Sequence, residues 1–346
     1  MSSSVRVIIT HRRTTMRQML EKNEGLARAA EYIRDNDGFV LICHISPDGD
    51  TLGSALALYN VMKLYDKRVQ IVCQDRVPES LAFLKGADEV LSPDKARHDD
   101  CAIAIDCADI ARLGGAQSLF NEARVTISID HHGSNTRFAM QNEVFPRCAA
   151  TAEIIYELLR LMCASFPRDV ADCLYTGLMT DTGCFAFTNV TADTFAIASE
   201  LVRMGADSAM INRRIFRTVP YRKTKLLGYA LTVTELYHGG KTGLCVITQD
   251  DLNRFNARAD DTEGIIDNIR DIDSVEIAVF IRECLDGDYK VSFRSKEYID
   301  VARIAQDFGG GGHVRAAGFK ITEKRDKLVD MVLSAAKEAL MQEEDE

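Results

Sequence analysis

The sequence has no long apolar run, no CxxC pair and no excess of positive charge. Its strand-like apolar stretches are broken by Asp, His or Gly within about ten residues, well short of the ~20 that a membrane-spanning helix needs. Its ten cysteines are scattered through apolar segments, which is typical of reduced core thiols rather than a disulfide framework. A net charge of −10 argues against a large surface for long duplex nucleic acid. These absences predict a soluble, cytoplasmic protein without a membrane partner.

An internal repeat is also lacking, and 346 residues exceed the roughly 250–300 at which single cores stop growing, so two domains are expected. We assign residues 1–24 to an N-terminal extension, whose Ser, Thr and Arg without an acid before Glu21 are typical of a targeting segment. A disordered start, or Met16 as the initiator, explains the same composition. Residues 25–190 are expected to form the first domain, 191–235 a helical linker region and 236–346 the second domain.

The first domain alternates strand-like and helical patterns. The strands are expected at "GFVLICH", "VQIVCQ", "CAIAIDC" and "RVTISID", with helices at "TLGSALALYNVMKLY" and "PESLAFL". Short apolar strands separated by helices predict an α/β fold, a parallel sheet with helices on both faces. Two expected hairpins, "LYHGGKTGLCVIT" and "VEIAVFIRECLDGDYKVSFRS", and two helices predict a smaller α/β second domain.

Polar side chains follow three of these strands. They comprise aspartates and histidines that parallel strands would bring to one edge of the sheet, namely His44, Asp48, Asp50, Asp106, Asp130, His131 and His132. Asp181 lies near the end of a predicted helix, where Gly183 permits a turn. Taken singly, each aspartate could be a turn or cap residue and each histidine a packed core residue. Taken together, carboxylates and imidazoles without thiolates favour a site for two divalent cations, Mn²⁺, Mg²⁺ or Co²⁺.

A second candidate site is the run "GGGGHVRAAGF". Successive glycines let backbone N–H groups approach a phosphate, and we expect a helix start after the run to add its positive end. His313 directly after the glycines, and then Arg315, favour an anion site over a merely flexible loop. The run is not a nucleotide-binding Walker loop, because no GK[ST] follows it.

These motifs resemble a known family. "HISPDGD", "AIDCAD", "IDHHGSN" and "GLMTDTG" are similar, in order, to the four motifs of the DHH phosphoesterase superfamily, and "GGGGHVRAAGF" resembles its DHH-associated C-terminal domain. The resemblance implies one metal on His44, Asp48 and Asp106. It implies a second metal on Asp50, Asp106, His131 and Asp181, with Asp106 bridging as a catalytic residue and Asp130 orienting an imidazole.

The resemblance also implies substrate contacts. His132 would face the substrate phosphate as a catalytic residue and Asn135 would contact the substrate, while Gly133 stands where relatives often carry proline. Further contacts are implied at Arg294, Ser295, Gly311, Gly312 and His313. Arg112 is a weaker candidate, since a solvated helix arginine fits equally.

Among the family's members, the chain resembles the bifunctional oligoribonuclease (nano-RNase) and pAp phosphatase group. The implied function is hydrolysis of short oligoribonucleotides or linear dinucleotides such as pApA, and of pAp, by a hydroxide that two metals, most readily Mn²⁺, activate. A cyclic di-AMP phosphodiesterase and a non-catalytic nucleotide-binding protein are the alternatives. The resemblance also allows a homodimer.

Overall fold

The computed structural model describes residues 19–20, 22–163 and 165–344. The N-terminal extension assigned to residues 1–24 falls mostly outside these residues. The described chain divides into two compact units, of which unit 1 ends at Thr218 and unit 2 begins at Val219. Within the described ranges, no helix is both long and apolar enough to cross a membrane.

Unit 1 is an α/β layer structure. Its helices are α1 Glu24–Asp35, α2 Gly49–Leu64, α3 Gln117–Glu122, α4 Thr151–Met162, α5 Arg168–Asp181, α6 Ala192–Arg203 and α7 Ser208–Asn212. Its strands are β1 Phe39–Cys43, β2 Val69–Val72, β3 Cys101–Ile105, β4 Val125–Asp130 and β5 Gln141–Val144.

The described strands of unit 1 form a five-stranded, all-parallel sheet in the order β2-β1-β3-β4-β5. Alternate residues of β1 are buried on opposite faces: Leu41 packs toward α1, α2, α4 and α5, and Ile42 packs toward α3. The prediction of a parallel sheet with helices on both faces is therefore confirmed.

Two local elements of unit 1 differ from the prediction. The segment "PESLAFL" forms only a 3-10 turn, Glu79–Leu81, closed by hydrogen bonds between residues three apart, and Gly86 with a φ of 86° then turns the chain. Strand β5 was not predicted, since its sequence "QNEV" has neither an apolar run nor β-branched enrichment. It pairs only with β4, at the edge of the sheet, where polar side chains are tolerated.

Unit 2 contains the second sheet. Its helices are α8 Tyr221–Thr232, α9 Gln249–Arg254, α10 Ile265–Arg270, α11 Val301–Asp307 and α12 Arg325–Glu344. Its strands are β6 Glu235–Tyr237, β7 Thr242–Ile247, β8 Ile277–Glu283, β9 Tyr289–Ser295, β10 Gly311–His313 and β11 Ala316–Ile321. Among the described residues these strands form one six-stranded sheet in the order β10-β11-β9-β8-β7-β6.

Both predicted hairpins are confirmed, as the antiparallel pairs β6–β7 and β8–β9. The helix start expected after the glycine run is wrong. The run enters strand β10, and the following residues form β11, antiparallel to it. The physical reason is the period of two in Ala316–Ile321, where Ala317 and Phe319 are buried and pack with Phe293 of β9. The glycine-rich segment therefore presents a hairpin rather than a helix N-terminus.

Candidate metal centre

The parallel register of unit 1 brings the predicted motifs to one edge of the sheet. His44 directly follows β1, Asp106 directly follows β3, and His131 directly follows β4. The backbone N–H of Asp106 still donates to Ile129 O of β4 at 2.9 Å. Its φ of 59° then turns the chain away from the sheet, a conformation that non-glycine residues seldom adopt. The side chains therefore gather beyond the carboxyl ends of β1, β3 and β4.

Helix α2 carries two more aspartates to this edge. Asp48 is its N-cap, and its Oδ1 accepts hydrogen bonds from the backbone N–H groups of Asp50 and Thr51. Asp50 is fully buried in the first turn, and its carboxylate accepts from the backbone N–H groups of Thr151 (2.6 Å) and Ala152 (2.9 Å). The positive end of α4 thus faces Asp50 and stabilises its charge.

Helix α5 delivers Asp181, its last residue, and Gly183 follows with a φ of 54° as the predicted turn requires. Small residues let α5 lie against α2. A Cβ on Gly53 would overlap the backbone of Cys173, and a Cβ on Gly177 would lie 2.8 Å from Asp50 Oδ1. The glycines therefore allow the approach that brings α5, and Asp181 at its end, up to Asp50.

The donor atoms form two sets that share Asp106. In one set, His44 Nε2 lies 3.7 Å from Asp48 Oδ2 and 3.6 Å from Asp106 Oδ2. In the other, His131 Nε2 lies 3.1 Å from Asp181 Oδ2, 3.9 Å from Asp50 Oδ2 and 3.7 Å from the second oxygen of Asp106, Oδ1. Each oxygen of Asp106 thus faces a different histidine, the arrangement expected of a carboxylate between two cations.

The protonation energetics of this cluster fit cations. Burial, together with the neighbouring carboxylates of Asp106 and Asp181, raises the pKa of Asp50 well above its usual value. Burial and the Asp106 and Asp48 carboxylates also raise the pKa of Asp181, to about 6, although His131 lowers it. Burial alone would lower the pKa of His44, but its hydrogen bonds to Asp106 and Asp48 outweigh burial and raise it to about 9. Divalent cations would relieve this repulsion, so the donor set fits them.

His132 lies beside the shared carboxylate of Asp106, and the carboxylate of Asp130 orients its ring. Its Nδ1 lies 2.7 Å from Asp130 Oδ1, and the other oxygen of Asp130 accepts from Asn135 Nδ2 at 2.7 Å. The hydrogen bond to Asp130 raises the pKa of His132. The imidazole that Asp130 orients is thus that of His132, whereas His131 Nδ1 faces the backbone carbonyl of Cys148 at 3.2 Å. Asn135 Nδ2 also donates to Cys107 O at 3.0 Å. The Asn135 amide therefore links the Asp130 carboxylate to the backbone directly after Asp106.

Sequence reasoning missed the segment Cys148–Ala152. Besides the contacts to His131 and Asp50, Thr151 Oγ1 donates to Asp106 Oδ1 at 2.7 Å. Asn189 Nδ2 donates to the backbone carbonyls of both Ala149 and Asp181, which ties this segment to the end of α5. Most of these contacts use backbone atoms, so the only available side-chain signal was Thr151 at the start of an apolar helical pattern.

Arg112 contacts the centre at its rim. Its Nη2 lies 2.9 Å from His44 Nδ1, and its carbonyl accepts from the backbone N–H of Ile45. A guanidinium only donates, so Nδ1 accepts from Arg112 only while Nδ1 is unprotonated. The same Nδ1 lies 2.8 Å from Ile45 O, to which it donates when it is protonated, so the two contacts are alternatives. Arg112 is therefore not simply a solvated helix arginine.

In unit 2, the structure brings two of the predicted contacts to one face of the sheet. His313 pairs with Ala316, which pairs in turn with Arg294, so His313 and Arg294 lie on the same face. Arg294 Nε lies 3.6 Å from Asp267 Oδ1. Gly311 and Gly312 are exposed in β10. A Cβ on Gly312 would overlap Ala317 of the facing strand, so the pairing itself requires glycine.

The other two predicted contacts in unit 2 are directed inward. Ser295 is buried, and its hydroxyl donates to Ile299 O at 2.6 Å. Arg315 donates to the carbonyls of Ile299 (2.7 Å) and Glu297. Both side chains thus hold the loop between β9 and α11, and neither has its polar group directed toward Arg294 and His313.

This fold and this centre define a class of protein: a two-unit α/β protein whose histidines and aspartates can hold divalent cations at the edge of a parallel sheet. Residues 39–178 match the family model of the DHH family, N-terminal domain, and residues 242–340 match the DHHA1 domain. The chain belongs to the DHH family of phosphoesterases.

Its relatives include the bifunctional oligoribonuclease and PAP phosphatase NrnA of Thermus thermophilus, 32% identical over 92% of this chain and 95% of that protein. The solved structure of an exopolyphosphatase-related protein from Bacteroides fragilis is similar with a TM-score of 0.85 and 26% identity, covering 91% of this chain and 96% of that one. The cyclic-di-AMP phosphodiesterase GdpP of Bacillus subtilis is more distant, 23% identical over 86% of this chain and 48% of its own length.

Proposed function

We propose that this chain hydrolyses short oligoribonucleotides and linear dinucleotides such as pApA to mononucleotides, and pAp to AMP, in a metal-dependent reaction. The observation that carries the proposal is the pair of donor sets sharing Asp106, with His132 beside it. The names of relatives that match over nearly the whole chain support the substrate class. The more distant relative supports cyclic di-AMP as a second candidate substrate.

The proposed ligands are His44, Asp48 and Asp106 for one cation, and Asp50, Asp106, His131 and Asp181 for the other. Oxygen and imidazole donors without thiolate suit Mn²⁺, which we propose as the cation. When bound, two such cations lower the pKa of water and neutralise charge on a phosphate.

The chain's own residues position the reacting groups and supply a proton to the substrate. Asp130 accepts from His132 Nδ1, which leaves Nε2 as the ring nitrogen directed at substrate. Because Asp130 raises the pKa of His132, the imidazolium persists to higher pH than that of an unpaired histidine and can donate a proton to a phosphate or leaving-group oxygen. A hydrogen bond from Asn135 orients the Asp130 carboxylate, and a hydrogen bond from Thr151 orients the Asp106 carboxylate.

We assign the hydrolytic role to residues 25–190 and substrate binding to residues 236–346, where Arg294 and His313 share a face and offer an anion site. The exposed glycines of β10 beside His313 leave room for a phosphate there. Ser295 and Arg315 support this site from within by holding the loop before α11.

The setting of the reaction is also proposed. All ten cysteines are free thiols, and seven of them are buried, which supports the reducing cytoplasm. The acidic chain is proposed to act on short single strands and not on long duplexes. A homodimer stays a prediction, which light scattering of the purified chain would check.

The test compares hydrolysis of pApA, pAp, cyclic di-AMP and a five-residue RNA, each with Mn²⁺, Mg²⁺, Co²⁺ or EDTA. We expect turnover of pApA, pAp and the RNA with Mn²⁺ and none with EDTA. Asp106→Asn should abolish it, because the shared carboxylate is lost. The matched control is Asp109→Asn, which removes a charge three residues away while asparagine keeps the cap on Ala111 N.

Each remaining result has a distinct meaning. Faster turnover of cyclic di-AMP than of pApA would favour the second candidate substrate. Tight nucleotide binding without turnover under every cation would instead indicate a non-catalytic binding protein. Full activity of Asp106→Asn would show that the site is assigned to the wrong residues.

A further inference from the structure

A cavity of about 440 Å³ opens at the carboxyl end of β2, the neighbour of strand β1, which His44 directly follows. Its lining includes Gln74, Arg76, Val77 and Lys95, none of which belongs to the motifs described above. Ligand sites commonly enclose about 300–1,000 Å³. Resting on the proposed function, we infer that this cavity binds one further nucleotide unit of an oligoribonucleotide whose reacting phosphate lies at the metal centre.

The cavity is pre-formed by backbone pairing. Leu91 N–H donates to Ile71 O at 2.9 Å, and Cys73 N–H donates to Leu91 O at 3.0 Å. Leu91 therefore forms a parallel bridge with Val72 and extends the sheet beyond β2. The wall formed by Val90, Leu91 and Ser92 is fixed to the sheet, so a ligand would pay little to order it.

Three contacts join this cavity to the metal centre. Asp75 Oδ2 accepts from the backbone N–H of Ser46 at 2.7 Å, within the loop between His44 and Asp48. Cys73 Sγ lies 3.4 Å from His44 O. On the far side, Gln74 Oε1 accepts from Gly115 N–H at 2.7 Å, in the 3-10 helix Ile110–Ala116 that follows Asp106 in the chain. The cavity is thus joined to the loop between His44 and Asp48 and to the segment that follows Asp106, as an adjacent subsite requires.

The chemistry of the lining suits one nucleotide. Arg76 and Lys95 are exposed, and within residues 22–163 and 165–344 neither lies within 4.0 Å of a carboxylate as an ion pair. Both can therefore meet a phosphodiester oxygen. The one acidic side chain of the lining, Asp75, is engaged by Ser46 N–H. Val77 offers an apolar surface for a base or ribose, and the Gln74 amide can donate to a base edge.

The prediction separates substrates by length. A pAp molecule has no further nucleotide to place, whereas a five-residue RNA does. The double variant Arg76→Ala/Lys95→Ala should lower kcat/KM for the RNA by about tenfold, the loss expected for charge-assisted phosphate contacts. Its kcat/KM for pAp should stay within about twofold of wild type.

The matched control is Lys85→Ala/Arg203→Ala, which removes two exposed positive charges of unit 1 outside the cavity. It should leave both substrates unaffected, and thermal unfolding should show that both double variants fold. Equal losses on pAp and RNA, or no loss on either, would overturn the subsite. So would a stimulation of pAp hydrolysis by free AMP that the cavity variant loses, because the cavity would then bind a free nucleotide.

A second readout keeps the inference independent of turnover. Fluorescence anisotropy of a labelled five-residue RNA, measured in EDTA, should show about tenfold weaker binding to the cavity variant than to the control. If wild type hydrolyses no substrate, the proposed function fails. A selective loss of RNA affinity would then still support the subsite, and equal affinities would overturn it.

Discussion

The hydroxyl of Thr151 offers a test of what holds the shared carboxylate in place. Thr151→Val keeps the shape of the side chain, and its backbone N–H still donates to Asp50, but the hydrogen bond to Asp106 Oδ1 is lost. A hydrogen bond to a charged group contributes about 1.5–3 kcal/mol, and 1.36 kcal/mol corresponds to tenfold. We therefore expect Mn²⁺ to bind about 10–100-fold more weakly, the range known for partners of metal ligands.

Calorimetric titration of the EDTA-stripped protein with Mn²⁺ measures this loss without reference to turnover. The matched control is Thr176→Val, the same substitution at a buried hydroxyl that has no hydrogen-bond partner among the described residues. That control should bind Mn²⁺ like wild type, since no polar contact is removed. If Thr151→Val bound Mn²⁺ within about twofold of the control, the hydroxyl would not support the centre.

Three further predictions concern packing and protonation. Gly53→Ala should destabilise the fold by about 1–3 kcal/mol in urea unfolding, because the added Cβ would overlap the backbone of α5. The control Gly228→Ala, whose Cβ would enter open space, should not destabilise the fold. Equal effects of the two substitutions would contradict the close contact between α2 and α5. Because the folded pKa of Asp181 is raised to about 6, metal-free protein should lose stability as pH rises from about 4 to 6. Asp181→Asn should flatten that slope in EDTA melting curves, and an unchanged slope would refute it. Asp130→Asn should lower the pKa of His132 and move the alkaline limb of kcat to lower pH, and an unmoved limb would argue against His132 as the acid.

The alternation of apolar strands and helices was sufficient to predict the parallel sheet, and with it the edge where His44, Asp106 and His131 converge. That prediction succeeded because the strands themselves set the parallel register, and a residue directly after a strand must lie at the carboxyl edge of the sheet. The polar edge strand β5 was not predicted because it buries little apolar surface, and the periodicity of apolar residues detects only elements with a buried face.

The second candidate site shows a different limit. Glycines predict close approach of a backbone, but they do not tell what approaches: in β10 the neighbour is the facing strand β11. Ser295 and Arg294 are adjacent in sequence yet lie on opposite faces of β9, since side chains alternate along a strand. A motif in a strand therefore contributes only every second residue to one surface.

The segment from Cys148 to Ala152 has a consequence for mutational scanning. It holds His131 and Asp50 through a carbonyl and two amide groups, which every residue type carries. Cys148→Ala leaves the carbonyl in place, and three of the five positions are alanine already. An alanine scan would thus register this loop almost only at Thr151. Amide-to-ester replacement at Thr151 or Ala152 would expose the main-chain contribution that side-chain exchange conceals.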